Sequence, residues 1–158
     1  VVLASTIPRG LLFLDFENVA RRFLAGTIPF EEWTHQAHLA VGTWHVSRYG
    51  AKEALARLRI GIQCLNEKHG TPNSLTRGYH ETITCAYVQL LAEFLASCPP
   101  GMPLHEQVVC LLEGPVADKN LLFKFYSRET LMSARARPEW VEPDIAPLRL
   151  EGVLGKQQ

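Results

Sequence analysis

The stretch from Phe30 to Gly70, FEEWTHQAHLAVGTWHVSRYGAKEALARLRIGIQCLNEKHG, decides the fold class. Gly50 divides it into two segments that both read as helix, Phe30 to Tyr49 and Ala51 to His69, and Gly70 closes the second. Glu31 and Glu32 suit the positive end of the first helix, and Thr34 offers an alternative start as an N-cap. In the second, Leu55, Leu58, Ile62 and Leu65 recur at helical spacing and supply an apolar stripe.

The same period runs outward in both directions. Leu12, Phe16, Val19, Phe23 and Leu24 predict a helix over Leu11 to Ala25, stopped by Gly26 and followed by the turn Thr27-Ile28-Pro29. After the loop Thr71-Pro72-Asn73-Ser74, a fourth helix is predicted from near Tyr79 to about Ser97, with Tyr87, Leu90, Leu91 and Phe94 along it. Pro99-Pro100-Gly101 breaks the chain again. Two shorter helices, Leu104 to Glu113 and Lys119 to Phe125, flank Gly114-Pro115, and Ser127 and Ser133 read as N-caps of short turns. From Pro138 the chain, with Pro143 and Pro147, is expected to wrap the surface irregularly. With no strand-like alternation and no repeat, the class is all-α. The expectation is an irregular bundle of four main helices, shorter C-terminal helices and an irregular tail. It forms one domain over 1–158, with 1–10 and 151–158 at its periphery.

Composition narrows the function classes. The 158 residues suffice for a proper core, and 47% apolar with 20% charged residues is ordinary for a globular protein. Sixteen basic and sixteen acidic residues cancel, without long runs of one sign, which argues against a nucleic-acid partner. No apolar run approaches the ~18–20 residues that span a membrane. Cys64, Cys85, Cys98 and Cys110 are widely spaced with no C-x-x-C pair, and they read as reduced thiols in a cytoplasmic protein, Cys64 and Cys85 on apolar helix faces. The start Val1-Val2-Leu3-Ala4-Ser5 lacks a basic region and is too short for a signal peptide, and the missing initiator Met suggests a trimmed or partial N-terminus.

Chemistry concentrates in two polar knots. His35 and His38, three apart on a helix, share a face with Cβ atoms about 5–6 Å apart, near enough for one metal ion. Tyr79-His80-Glu81-Thr82-Ile83-Thr84 opens another helix, so His80 can supply a third imidazole. Three protein ligands and an open position are what catalytic zinc takes, and such an ion makes hydroxide from water near neutral pH. Glu17 reaches the same space if the first, second and fourth helices meet. Glu81, about 100° round from His80, is better placed as a base or supporting partner. The spacing differs from the H-E-x-x-H of zincins, because Thr84 stands where the second histidine would be. A two-histidine, one-carboxylate set also suits iron, or manganese.

The ordered elements Phe16-Glu17, Trp33 to Leu39 (W-T-H-x-x-H-L), Gly78 to Thr84 (G-Y-H-E-T-I-T), Phe125 to Ser133, Ala136-Arg137 and Val141 to Asp144 resemble a group of small bacterial all-helical proteins of uncharacterised activity. The resemblance implies a shared site and points to Glu17, His35, His38, His80, Glu81 and Arg137, without giving its chemistry.

The expected reading is therefore a metal-dependent, hydrolase-like enzyme acting on a small-molecule substrate. His35, His38 and His80 hold a divalent ion, zinc by preference, while Glu81 and Glu17 handle protons. His45, Tyr79, Trp33 and Arg137 are candidate pocket residues. A packed core role suits His45 and the aromatics better than a pocket role, and Arg137 and Arg128 more often pin the C-terminal segment. Two alternatives stand beside it: a non-haem iron oxygenase, and a ligand-binding or interaction domain whose His/Glu network is structural.

Overall fold

A computed structural model describes residues 15–154. Among them there is no strand, and the all-α expectation holds. Helix α1 spans Asp15–Ala25, α2 His35–Lys68, α3 Glu81–Ser97 and α4 Leu104–Glu113, followed by the short helices α5 (Arg128–Leu131) and α6 (Glu151–Leu154). The predicted start of the first helix at Leu11 lies outside the described residues. Gly26 and Gly70 take the left-handed conformation expected of helix stops. At the start of α2 the N-cap reading is the right one. Phe30–Glu32 forms only a 3₁₀ turn, and the Thr34 hydroxyl accepts the Ala37 N–H to begin the helix.

Helix α2 breaks where the sequence places a glycine. Gly50 sits at φ 76°, ψ 166°, a region essentially reserved for glycine, while hydrogen bonding continues on both sides. His38, twelve residues before Gly50, and Ile62, twelve after, line one cavity, whereas a straight helix would hold them about 36 Å apart. The two arms of α2 are therefore folded back on each other, and α1 and α3 pack against them. Gly61 allows the close approach of α1: a Cβ there would lie 2.5 Å from the Phe23 ring.

The core joins Phe23, Leu39, Val41, Leu58 and Leu65 to Leu90, Leu91, Leu111, Leu121, Phe125 and Tyr126. The region predicted as a helix over Lys119 to Phe125 is a 3₁₀ turn, Leu121–Lys124. Ser127 caps α5 and Ser133 caps the turn that follows it, as expected, its hydroxyl accepting the Ala136 N–H. Asp144 ties the tail back by accepting from the Ser127 N–H and from the hydroxyls of Ser127 and Thr130. Glu93 accepts the Leu150 N–H, and Leu148, Leu150 and Val153 are buried. All four cysteines are free, and Cys64 is exposed instead of lying on the apolar face. No helix among the described residues is long and apolar enough to cross a membrane.

Candidate functional site

Between the arms of α2 and α3 lies a cavity of about 320 Å³. Its walls are mostly apolar, with Leu39, Gly42, Leu58, Ile62, Ile83, Val88 and Leu91 beside Trp33, His35, His38, Thr84 and Tyr87. Helical spacing explains the lining: His35, His38, Leu39 and Gly42 share one face of α2, as Ile83, Thr84, Tyr87, Val88 and Leu91 do of α3.

Backbone carbonyls hold both cavity histidines. His38 Nδ1 lies 2.7 Å from the Thr34 oxygen, and His35 Nε2 lies 3.2 Å from the Ala117 oxygen. A carbonyl only accepts, so His38 carries its proton on Nδ1 and His35 on Nε2. The lone pair of the neutral ring is then on Nε2 of His38 and on Nδ1 of His35. The His38 ring also stacks on Trp33, centroids 3.8 Å apart, and Trp33 stacks on Phe23 at 5.4 Å. His38 stays accessible to solvent while protein crowds it on other sides, and that desolvation pushes its pKa below the usual imidazole value. Desolvation lowers His35 as well, opposed by its bond to Ala117. Tyr87 presents the edge of its ring to His35, and burial, aided by Asp118, lifts its hydroxyl to about 12.

His80 does not join this pair, and its expected role as a third ligand is corrected by its own hydrogen bonds. It is the N-cap of α3: Nδ1 accepts the Ile83 N–H at 3.1 Å, and Nε2 donates to the Leu131 carbonyl at 2.9 Å. Both ring nitrogens are thereby used, and the ring lines no part of the cavity. The other free N–H groups at this helix end are met by the tail, Glu81 donating to the Arg137 carbonyl at 2.7 Å and Thr82 to that of Ala136 at 3.2 Å. Thr82, fully buried, also links the tail, donating to the Glu139 carbonyl and accepting the Val141 N–H. The knot at 79–84 fastens the C-terminal segment to α3.

Glu81 is likewise structural in its contacts. Its carboxylate takes two bonds from Arg59 and one from the Tyr79 hydroxyl at 2.6 Å, with the Cys85 thiol at 3.5 Å. Burial pushes the Glu81 carboxyl up, but these bonds outweigh it and hold the group below its usual value. Arg137 donates through Nη1 to the carbonyls of Gly78 and Tyr79. Tyr79, Glu81 and Arg137 line a separate, more open depression of about 460 Å³ with Arg59, Gln63 and Asn73. Glu17 is exposed on α1 and lines no part of the cavity. His45 is fully buried away from it, donating Nδ1–H to the Val41 carbonyl with its ring edge-on to Phe23.

Of the predicted site residues, the cavity gathers His35, His38 and Trp33 and leaves His80, Glu81, Glu17, His45, Tyr79 and Arg137 outside. It adds Thr84, Tyr87, Leu58 and Ile62, whose periodicity marks them only as a helix face. No group of three or more His, Cys, Asp or Glu residues is arranged for a metal among the described residues. Compared with protein-family models, curated proteins and solved structures, the chain matches none.

Proposed function

We propose that the protein binds a small, largely apolar molecule in the cavity between α2 and α3. One observation carries this reading: a cavity of about 320 Å³ walled by aliphatic and aromatic side chains and carrying only a few polar groups. That size and lining are those of small-molecule sites. The resemblance to the small bacterial helical proteins belongs to the same proposal and rests on the order of the motifs. The test is calorimetric titration with 1-methylnaphthalene, which has no polar group. Saturable one-to-one binding is expected in the native chain and its loss in Val88→Phe, which fills the cavity from α3. Absence of saturable binding, or binding indifferent to Val88→Phe, overturns the reading.

The metal-dependent, hydrolase-like reading remains as a second proposal, favoured by the state of the histidine pair. A metal-bound histidine commonly donates its other ring N–H to a backbone carbonyl, and His35 and His38 both do so. In this form His35 and His38 would hold the ion through their free ring nitrogens, and the chemistry it would supply is acidification of a water. Under this reading zinc binds at one equivalent, and His35→Ala or His38→Ala abolishes binding while His80→Ala leaves it intact. Zinc uptake that survives loss of both His35 and His38 contradicts it.

A further inference from the structure

The polar groups that line the α2–α3 cavity are unequal in kind. At pH 7.5 an ordinary imidazole is mostly neutral and offers one donor and one acceptor. The donor of His38 is committed to Thr34 and that of His35 to Ala117, so their remaining nitrogens can only accept. Thr84 repeats the pattern: its hydroxyl hydrogen goes to the His80 carbonyl at 2.9 Å, leaving lone pairs. The indole N–H of Trp33 is sealed from solvent and has no acceptor among the described residues, so it offers nothing at the cavity surface. Tyr87 is the remaining side-chain donor of the lining. Three acceptor groups thus stand against one donor, on a lining without a cationic side chain, and Lys119, the cation that acts on His35 from outside it, is opposed by Asp118.

We infer that the molecule taken by this cavity carries a neutral hydrogen-bond donor, a hydroxyl or N–H group, on an apolar body, and that carboxylates and other anions are excluded. The inference rests on the small-molecule reading above and names its ligand class. A hydroxyl directed at His38 Nε2 meets a lone pair whose geometry is set by two constraints, the bond from Nδ1 to Thr34 and the stack on Trp33. An ether of the same shape leaves that lone pair desolvated and unpaired, which costs the complex about one hydrogen bond. A carboxylate meets acceptors on nearly every polar side and surrenders its own hydration.

The experiment is a calorimetric comparison at pH 7.5 of 1-naphthol, 1-methoxynaphthalene and 1-naphthoate, three probes that share one ring system. The naphthol is expected to bind about five- to tenfold more tightly than the ether, as one neutral hydrogen bond implies, and the naphthoate to bind weakest. In His38→Phe, which keeps an aromatic face against Trp33, the naphthol is expected to lose its advantage while the ether binds undiminished. A thermal melt of the variant confirms that it is folded. Should it unfold, ¹⁵N spectra of the native chain give the second readout, because naphthol must shift the unprotonated His38 Nε2 resonance while the ether leaves it in place. Equal binding of naphthol and ether, or preference for the naphthoate, overturns this inference and leaves the apolar site standing. Binding of none of the three removes the site, and this inference with it.

Discussion

At the scale of single residues, the two histidine knots divide the labour between them. His35 and His38 each give one nitrogen to a carbonyl and keep the other as a lone pair in a cavity wall, whereas His80 uses both nitrogens to fasten its own helix. His80→Ala should therefore lower stability by about 1–3 kcal/mol, the loss of an N-cap together with a buried carbonyl left unpaired. Urea unfolding checks this, and a change within about 0.5 kcal/mol would mean that the cap is unimportant. Arg59→Met should cost about 1 kcal/mol, discounted because the Arg59 side chain is 43% exposed, and should raise the Glu81 pKa in an NMR titration. An unmoved Glu81 pKa would count against the pairing. The sequence shows why His80 reads as a ligand: cap signatures name Ser, Thr, Asp and Asn, so a histidine before a Glu-bearing first turn looks like chemistry. The partners that identify it as a cap, Leu131 and Ile83, include one some fifty residues away in the chain.

At the scale of elements, Gly50 makes the cavity possible. Its backbone turn lets the two arms of α2 fold back on each other, so that His38 and Leu39 on one and Leu58 and Ile62 on the other share a wall. A Cβ at Gly50 meets open space, so substitution acts through the backbone alone. Gly50→Ala should destabilise the fold by about 1–3 kcal/mol, read as a drop in melting temperature with a loss of 1-methylnaphthalene affinity. Unchanged stability would show that the break is dispensable. The helices themselves were legible, because the apolar period runs through α1 to α4, and glycine stops close α1 and α2. The direction of the chain after Gly50 was not legible, since a helix stop carries no vector. Nor was the route of the tail, whose Ala136 and Arg137 carbonyls meet the start of α3 from far along the chain. For the same reason two of the three expected ligands converge and the third does not: neighbours on one helix face follow from spacing, while convergence of separate helices follows from packing.

At the scale of the whole molecule, desolvation of uncharged histidines gives stability a pH dependence of definite sign. Desolvation lowers the pKa of His35, His38, His45 and His80, so the unfolded chain binds protons more readily than the folded one below its ordinary imidazole value near 6.5. Stability is thus full above that value and falls as pH drops through it, by at most about 1.4 kcal/mol per pH unit for each group. Glu81 works in a lower window, since a depressed carboxyl loses its contribution only below its unfolded value of 4.5. Melting temperature should therefore fall between pH 7.5 and 5, and an unchanged or higher value at pH 5 would contradict the desolvation of these rings.

The most direct measurement is a map of amide chemical shifts in ¹⁵N-labelled protein titrated with 1-naphthol. The account predicts that the shifts concentrate on His35, His38, Leu39, Gly42, Ile62, Thr84 and Tyr87, on both arms of α2 and on α3, while Gln63, Asn73, Tyr79 and Arg137 stay still. Shifts centred on those last four residues, or none at all, would contradict it.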